Sequence, residues 1–293
     1  MITQSPVAAV TGASGYLGSH ICRTLESRGW QVIRLTGSQA QSHGEVISYE
    51  LAAPITAQVS EALQSADALI HAAYDLSLTS SADIWRVNVD GTRRLLNAAK
   101  EAGTGRIIVL SSMSAFAGTS QLYGQAKLDI EAMTVELGGC AVRPGLVHGK
   151  QAGGMAGSLR RLTSLPVVPI IAGGSGVYTV WEEDLLGTIA LLASAAILEP
   201  GTISLAHPSK VTLVDLLSTF AAQENPRCRF IPLPWQLVYL LLRSGELMRL
   251  PLPFRADSLL GLVHTSPSLI GTEQLARLGI TLRAFQPDSV ALS

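Results

Sequence analysis

Cysteine, charge and long apolar runs are all scarce in this 293-residue chain. Its three cysteines, Cys22, Cys140 and Cys228, are odd in number and far apart. They form neither a disulfide framework nor a pair with metal-ligand spacing, so each reads as a buried thiol. The six histidines are equally scattered, and no metal site is expected. Charged residues make up 15% of the chain, with 21 Lys plus Arg against 22 Asp plus Glu. Such a balance builds no basic field for nucleic acid. The longest clean apolar run, Leu237 to Leu242, ends at Arg243, far short of the roughly 20 residues that span a bilayer. The chain also enters its first strand without the basic flank and apolar core of a signal segment. A cytoplasmic protein without nucleic-acid or membrane partners is expected.

What the chain does contain is apolar and glycine-rich: 47% hydrophobic residues and 27 glycines. That is the profile of an ordered globular protein with one large core, or a core carrying a smaller lobe. The first half alternates strands and helices. Strands are expected at 7–11, 31–35, 45–51, 68–72, 106–110 and 140–143. Helices are expected at 18–28, 57–64, 81–102 and 123–137. This alternation implies a Rossmann-type α/β fold, a doubly wound parallel sheet with helices on both faces and ligands at the carboxyl ends of its strands.

Beyond Gly149 the pattern loosens. Gly153, Gly154, Gly173, Gly174 and Gly176 mark loops, prolines cluster at 166, 169, 232, 234, 251 and 253, and helices are expected at 184–196, 213–223 and 235–247. The reading is a dinucleotide-binding domain over 1–150 and a smaller, mainly helical substrate lobe over 151–293, with a shared core because no clean linker separates them.

The first strand ends in Thr11-Gly12-Ala13-Ser14-Gly15-Tyr16-Leu17-Gly18 and leads straight into a helix. Glycines there permit a tight turn and the close approach of a pyrophosphate, and the helix N-terminus supplies free N–H groups. The implied cofactor is NAD or NADP. No acid closes the second strand, Val32 to Gly37, to hold a ribose 2′-hydroxyl. Arg34 could face a 2′-phosphate, which tilts the reading towards NADP, or it could point to solvent.

A second constellation follows the 106–110 strand. Tyr123 and Lys127 are four apart and share a helix face. A free phenol has a pKa of about 10, and a nearby cation would lower it towards neutrality. Ser111 and Ser112 close the preceding strand, where a hydroxyl can bond a substrate oxygen as charge develops. The plainer alternative pairs Lys127 with Glu131 on an exposed face.

Together these segments resemble the extended short-chain dehydrogenase/reductase family, also called the NAD-dependent epimerase/dehydratase family. The matching pieces are TGASGYLG at 11–18, HAAY at 71–74, NVDGT at 88–92, SSMSAFAG at 111–118, YGQAK at 123–127, RPGLVHG at 143–149 and VWEEDL at 180–185. The resemblance implies that Gly12, Gly15, Tyr16, Leu17 and Gly18 line the cofactor phosphates, and that Glu50 and Leu51 flank the adenine. It places Ala72 and Ala73 by the phosphate–ribose region, Asn88 as structural support, and Pro144 against the nicotinamide. It makes Tyr123 the acid/base, Lys127 also a ribose ligand, and Ser112 the substrate-oxygen donor, with Ser114 as the alternative. A homodimer through two helices beside the sheet would suit the family.

Two departures bear on substrate. Leu146 stands where the family carries an asparagine that contacts nucleotide sugars, and Met113-Ser114 replaces the Asp-Glu pair of its dehydratases. Arg160 and Arg161 could bind a diphosphate or line a solvated helix face, and His148 could sit at the site rim or in a surface loop. The apolar stretch from Trp235 to Leu262 reads as lobe packing, with a dimer or lipid-facing patch as the alternative. The leading expectation is an NAD(P)-dependent epimerase or reductase of a sugar nucleotide. A reductase or dehydrogenase of a non-nucleotide alcohol or ketone is the alternative, and a non-catalytic NAD(P) sensor the third.

Overall fold

The structure, a computed structural model, describes residues 5–37, 44–149, 153–171, 176–248, 250 and 255–286. The loop positions Gly173, Gly174, Pro251 and Pro253 lie outside them. Strands and helices alternate through the first half. They run β1 (Val7–Thr11), α1 (Tyr16–Ser27), β2 (Gln31–Thr36), β3 (Glu45–Ser48), α2 (Ala57–Ser65) and β4 (Ala68–His71). After these come α3 (Ser81–Ile84), a π-helical turn (Trp85–Val89), α4 (Asp90–Glu101), β5 (Arg106–Leu110), α5 (Leu122–Glu136) and β6 (Cys140–Pro144).

The second half begins with β7 (Leu146–His148), α6 (Gly154–Leu162), β8 (Val167–Ile171), β9 (Thr179–Trp181) and α7 (Glu182–Ser194). It continues with β10 (Gly201–Leu205), α8 (Leu213–Glu224), β11 (Arg229–Leu233), α9 (Trp235–Leu247), α10 (Ala256–Val263) and α11 (Thr272–Arg277).

Seven parallel strands form the main sheet in the order β10-β6-β5-β4-β1-β2-β3. Apart from the exposed edge strand β3, the strands are largely buried on both faces, which is why they read as continuous apolar runs. Side-chain alternation divides the core in two. Ala8, Val10, Ile70 and Ile108 face α1 and α7, where Ile21, Leu25, Leu185 and Ile189 meet them. Ala9, Leu69, Ile107 and Val109 face α2, α4 and α5, packing on Leu63, Leu95, Leu96 and Ile130. The order reverses between β1 and β4, so a crevice opens at their carboxyl ends, where α/β folds of this type bind ligands.

Two features depart from the sequence expectation. The helix expected over 81–102 is interrupted by the π-helical turn, and the fully buried Asn88 sits in it. Its amide accepts from the Asp75 N–H at 2.7 Å and donates to the Asp75 carbonyl at 3.2 Å. The turn thus anchors the chain leaving β4.

The second departure is β10, which joins the main sheet beside β6, so the second half completes the first. The rest of that half holds a smaller core of Leu159, Ile170, Leu216 and Phe220, and two-stranded sheets β8/β11 and β7/β9 join its helices.

Candidate active site

The glycine turn lies at the switch point. Gly12 has φ +64°, and a Cβ there would sit 2.8 Å from the Ala73 nitrogen. A Cβ on Gly18 would collide with the Gly12 carbonyl oxygen. Helix α1 then begins at Tyr16, after Gly15, with no side-chain cap and no acid in its first turn. Its leading N–H groups have no intrahelical acceptor, and the helix dipole adds partial positive charge there. The space, the free donors and the charge fit a pyrophosphate.

Behind the turn, the Thr11 hydroxyl accepts from the Ala72 and Ala73 N–H groups, each at 3.2 Å, and lies 2.7 Å from His71 Nδ1. His71 Nε2 lies 2.8 Å from the Thr92 hydroxyl. Burial, with Lys127 adding to it, holds His71 neutral by lowering its pKa to about 3. This chain of bonds fixes the ends of β1 and β4 relative to α4.

Tyr123 and Lys127 meet at the end of β5. Lys127 is buried, donates to the Leu110 carbonyl at 2.7 Å and lies 4.6 Å from the centre of the Tyr74 ring. Tyr74 stands edge-on to Tyr123, with ring centres 5.0 Å apart. Burial lowers the Lys127 pKa to about 8, against the opposing pull of Glu131. Burial also raises the Tyr123 phenol to about 12, an effect the Ser112 hydroxyl reduces and Asp257 increases. The phenol is therefore held protonated, whereas the sequence suggested a cation-lowered one. Desolvation outweighs the lysine, whose ammonium is 5.8 Å from the Tyr123 ring centre and bonded elsewhere.

The three serines separate. Ser112 faces the phenol, and its oxygen accepts from the Ser114 N–H at 3.1 Å. Ser111 bonds the buried Glu131 carboxylate, which also takes Arg143 Nε at 2.7 Å and a second Arg143 nitrogen at 2.6 Å. Glu131 thus belongs to Arg143, and the exposed Lys127–Glu131 pair does not form. Ser114 points towards Gly261 on α10.

The NAD dependent epimerase/dehydratase family model matches residues 8–137 of this chain, spanning both the glycine turn and the Tyr123–Lys127 helix. Over that stretch, somewhat under half of its length, the chain is similar to this family of NAD-dependent enzymes. An uncharacterized protein of Mycobacterium tuberculosis is 29% identical over 206 residues, 70% of this chain but 22% of the relative's own length. A ceramide reductase of Caulobacter vibrioides is 26% identical over 237 residues, 78% of this chain and 74% of its own. Among solved structures, MoeE5 in complex with UDP-glucuronic acid and NAD shares the fold, with a TM-score of 0.72 at 20% identity over 97% of this chain and 96% of that one.

Several expected site residues take other positions in the structure. Arg34 faces neither a 2′-phosphate nor solvent: it is buried and donates to Glu26 at 2.6 Å. Side-chain alternation in β2 turns residue 34 to the α1 face, where Glu26 waits. An acid does reach the end of β2, supplied by β3: the Glu50 side chain lies against Gly37, whose Cβ would be 3.1 Å from the Glu50 Cγ. Leu51 carries its carbonyl to Arg94 at 2.8 Å and packs on Gly91. The Tyr16 ring turns from the crevice to Gly153 and His20, leaving only its backbone at the turn. Leu17 packs on the core behind.

Pro144 ends β6 opposite Leu205. His148 is at no rim or surface loop: it is fully buried between Trp181 and Phe285, and burial lowers its pKa to about 4. Arg160 pairs with Glu224, and Arg161 donates to Ser158 on the outer face of α6.

Other site residues escaped the sequence reading. Asp257, on α10, lies against the Tyr123 N–H, and burial raises its carboxyl pKa. Gln121 donates to the Asp257 carbonyl at 2.7 Å. More than 130 positions separate these partners, and no local pattern links them. Tyr74 carried a signal, an aromatic closing the HAAY motif, but nothing local shows its edge-on contact with Tyr123. The cysteines remain free thiols, with Cys22 and Cys140 buried and Cys228 partly so. No helix among the described residues is long and apolar enough to cross a membrane.

Proposed function

We propose that this chain is an NAD-dependent reductase or dehydrogenase that interconverts a ketone and a secondary alcohol on an apolar, non-nucleotide substrate. The observation that carries the reading is the meeting of Ser112, Tyr123 and Lys127 at the carboxyl end of β5, beside the glycine turn. When bound, the dinucleotide would supply or accept the hydride. Gly12, Gly15, Gly18 and the first amides of α1 would hold its pyrophosphate, with Ala72 and Ala73 closing the phosphate–ribose region. Leu51 would flank the adenine, Pro144 the nicotinamide, and Lys127 the adjoining ribose. Glu50, lying at the end of β2, would accept from a ribose hydroxyl and repel a 2′-phosphate, which supports NAD over NADP.

The chain's own part is proton delivery. A phenol protonated up to about pH 12 is poised as an acid. Tyr123 would give its proton to the carbonyl oxygen of the substrate while the Ser112 hydroxyl bonds that same oxygen. Lys127, still able to carry charge near neutrality, would stabilise the phenolate left behind.

Leu146 in place of a polar residue, and the engagement of Arg160 by Glu224, support an apolar substrate over a diphosphate. The similarity to a ceramide reductase points the same way. The nucleotide-sugar epimerase reading draws on the motif order and on a fold shared with MoeE5. Turnover separates the two: a reductase consumes free NADH in proportion to product, whereas an epimerase converts its sugar nucleotide with no net change in NADH. On an apolar ketone that the chain reduces, Tyr123→Phe should lower kcat by about 10²- to 10⁴-fold with NADH affinity retained. Unchanged turnover would remove Tyr123 from its role.

A further inference from the structure

Helix α9 contributes no residue to the three cores described above. Among its described residues only Gly245 is buried. Its exposed side is rich in large apolar residues, with Gln236, Arg243 and Ser244 exposed beside them: Leu240 and Leu241 are each 61% exposed, Leu247 87% and Met248 70%. With Leu237 one turn earlier, and Ser244 interrupting the three- and four-residue repeat, these positions lie along one side of the helix. The strand that leads into α9 extends the surface, because Ile231 on β11 and Val167 on β8 are also exposed. Isolated exposed leucines are ordinary, but a stripe of this kind marks an interaction surface.

Charge identifies the occupant. The whole chain is nearly neutral, yet from Arg227 to Arg255 it carries five arginines (227, 229, 243, 249 and 255) and one acid, Glu246. Arg227, Arg229 and Arg243 are exposed. Glu246 is largely buried and spent on the Ala256 N–H at 2.7 Å and on Arg243. The acids flanking the segment are also turned away, Glu224 to Arg160 and Asp257 to Tyr123. Trp235 opens the helix, partly exposed, with its ring edge-on to His264. An apolar leucine stripe, edged by arginines and a half-buried tryptophan, is the composition of a helix lying in the plane of a lipid–water interface.

We propose that α9, with the β8/β11 edge, docks this protein onto an anionic phospholipid surface. The leucine stripe enters the acyl boundary and the arginines meet the headgroups. This docking is independent of the catalytic reading, since it uses none of the residues placed at the hydride-transfer site. Helix α9 packs on α10, which lies against Tyr123.

The test is co-sedimentation of the full-length protein with vesicles, either of phosphatidylcholine alone or with roughly one third phosphatidylglycerol. The anionic vesicles should retain the protein, and roughly half-molar salt should weaken that retention several-fold. The triple variant Leu240→Glu, Leu241→Glu, Leu247→Glu changes exposed positions and should fold normally, as its circular dichroism and melting temperature would show. It should lose about tenfold or more in partitioning. Tyr123→Phe should bind vesicles as the native chain does, which keeps this outcome separate from the catalytic one. Failure of the native chain to sediment with anionic vesicles would overturn the proposal. So would a stable dimer in solution that the triple variant dissociates, because a second copy would then cover the stripe.

Discussion

Tyr123 and Lys127 show how far packing displaces two side chains from their ordinary chemistry. Both lie under Tyr74, the Leu110 carbonyl and α10, and desolvation moves each towards its neutral form. The same burial carries a stability signature. In the unfolded chain the Lys127 ammonium keeps its proton to its ordinary value of 10.5, whereas in the fold it releases it near 8. Between those values the unfolded state binds more protons, so stability rises with pH. Relative to Lys127→Met, the native chain should therefore gain up to about 3 kcal/mol in unfolding free energy from pH 8 to 10.5, read by urea denaturation. A flat difference across that range would mean that Lys127 keeps its charge in the fold. The helical spacing of the pair was legible from the sequence. The protonation states were not, because the groups that desolvate it come from β4, β5 and α10.

The start of α1 and the course of β2 illustrate what each element decides. Gly18 is demanded by contact, since its Cβ would meet the Gly12 carbonyl. Gly18→Ala must push the turn open, at a cost of about 1–3 kcal/mol. Calorimetric titration should show NADH affinity falling about tenfold or more, and unchanged affinity would place the dinucleotide elsewhere. The motif and its strand–turn–helix setting were readable in full. The role of Arg34 was not: alternation along β2 decides which helix it meets, and Glu26 captures it on the α1 face. The acid missing from the end of β2 is instead brought there by β3, whose pairing with β2 no local signal records.

The two halves of the chain are bound into one sheet. Strand β10 pairs with β6 along five residues, and Leu185 and Ile189 of α7 pack on the α1 side of the core. A chain ending at residue 150 would expose the β6 edge and leave Ile21 and Leu25 without their cover. Such a truncation should not fold into a cooperative unit. Size-exclusion chromatography and near-ultraviolet circular dichroism would show aggregate or loss of fixed packing, and a native-like monomer would show that the two halves fold apart. The contacts of α10 with Gln121 and Tyr123 tie the second half to the start of α5 in the same way.

Periodicity and turn chemistry were enough to specify the parallel sheet, the glycine turn at its first crossover and the tyrosine–lysine helix, because each of these is written in residues only a few positions apart. The burial of His148, the capture of Arg34 and Glu131, the entry of β10 into the sheet and the roof that Asp257 forms over Tyr123 all depend on contacts between distant segments. Such contacts exist only once the chain has closed, and desolvation and charge pairing then act on groups that are strangers in the linear order.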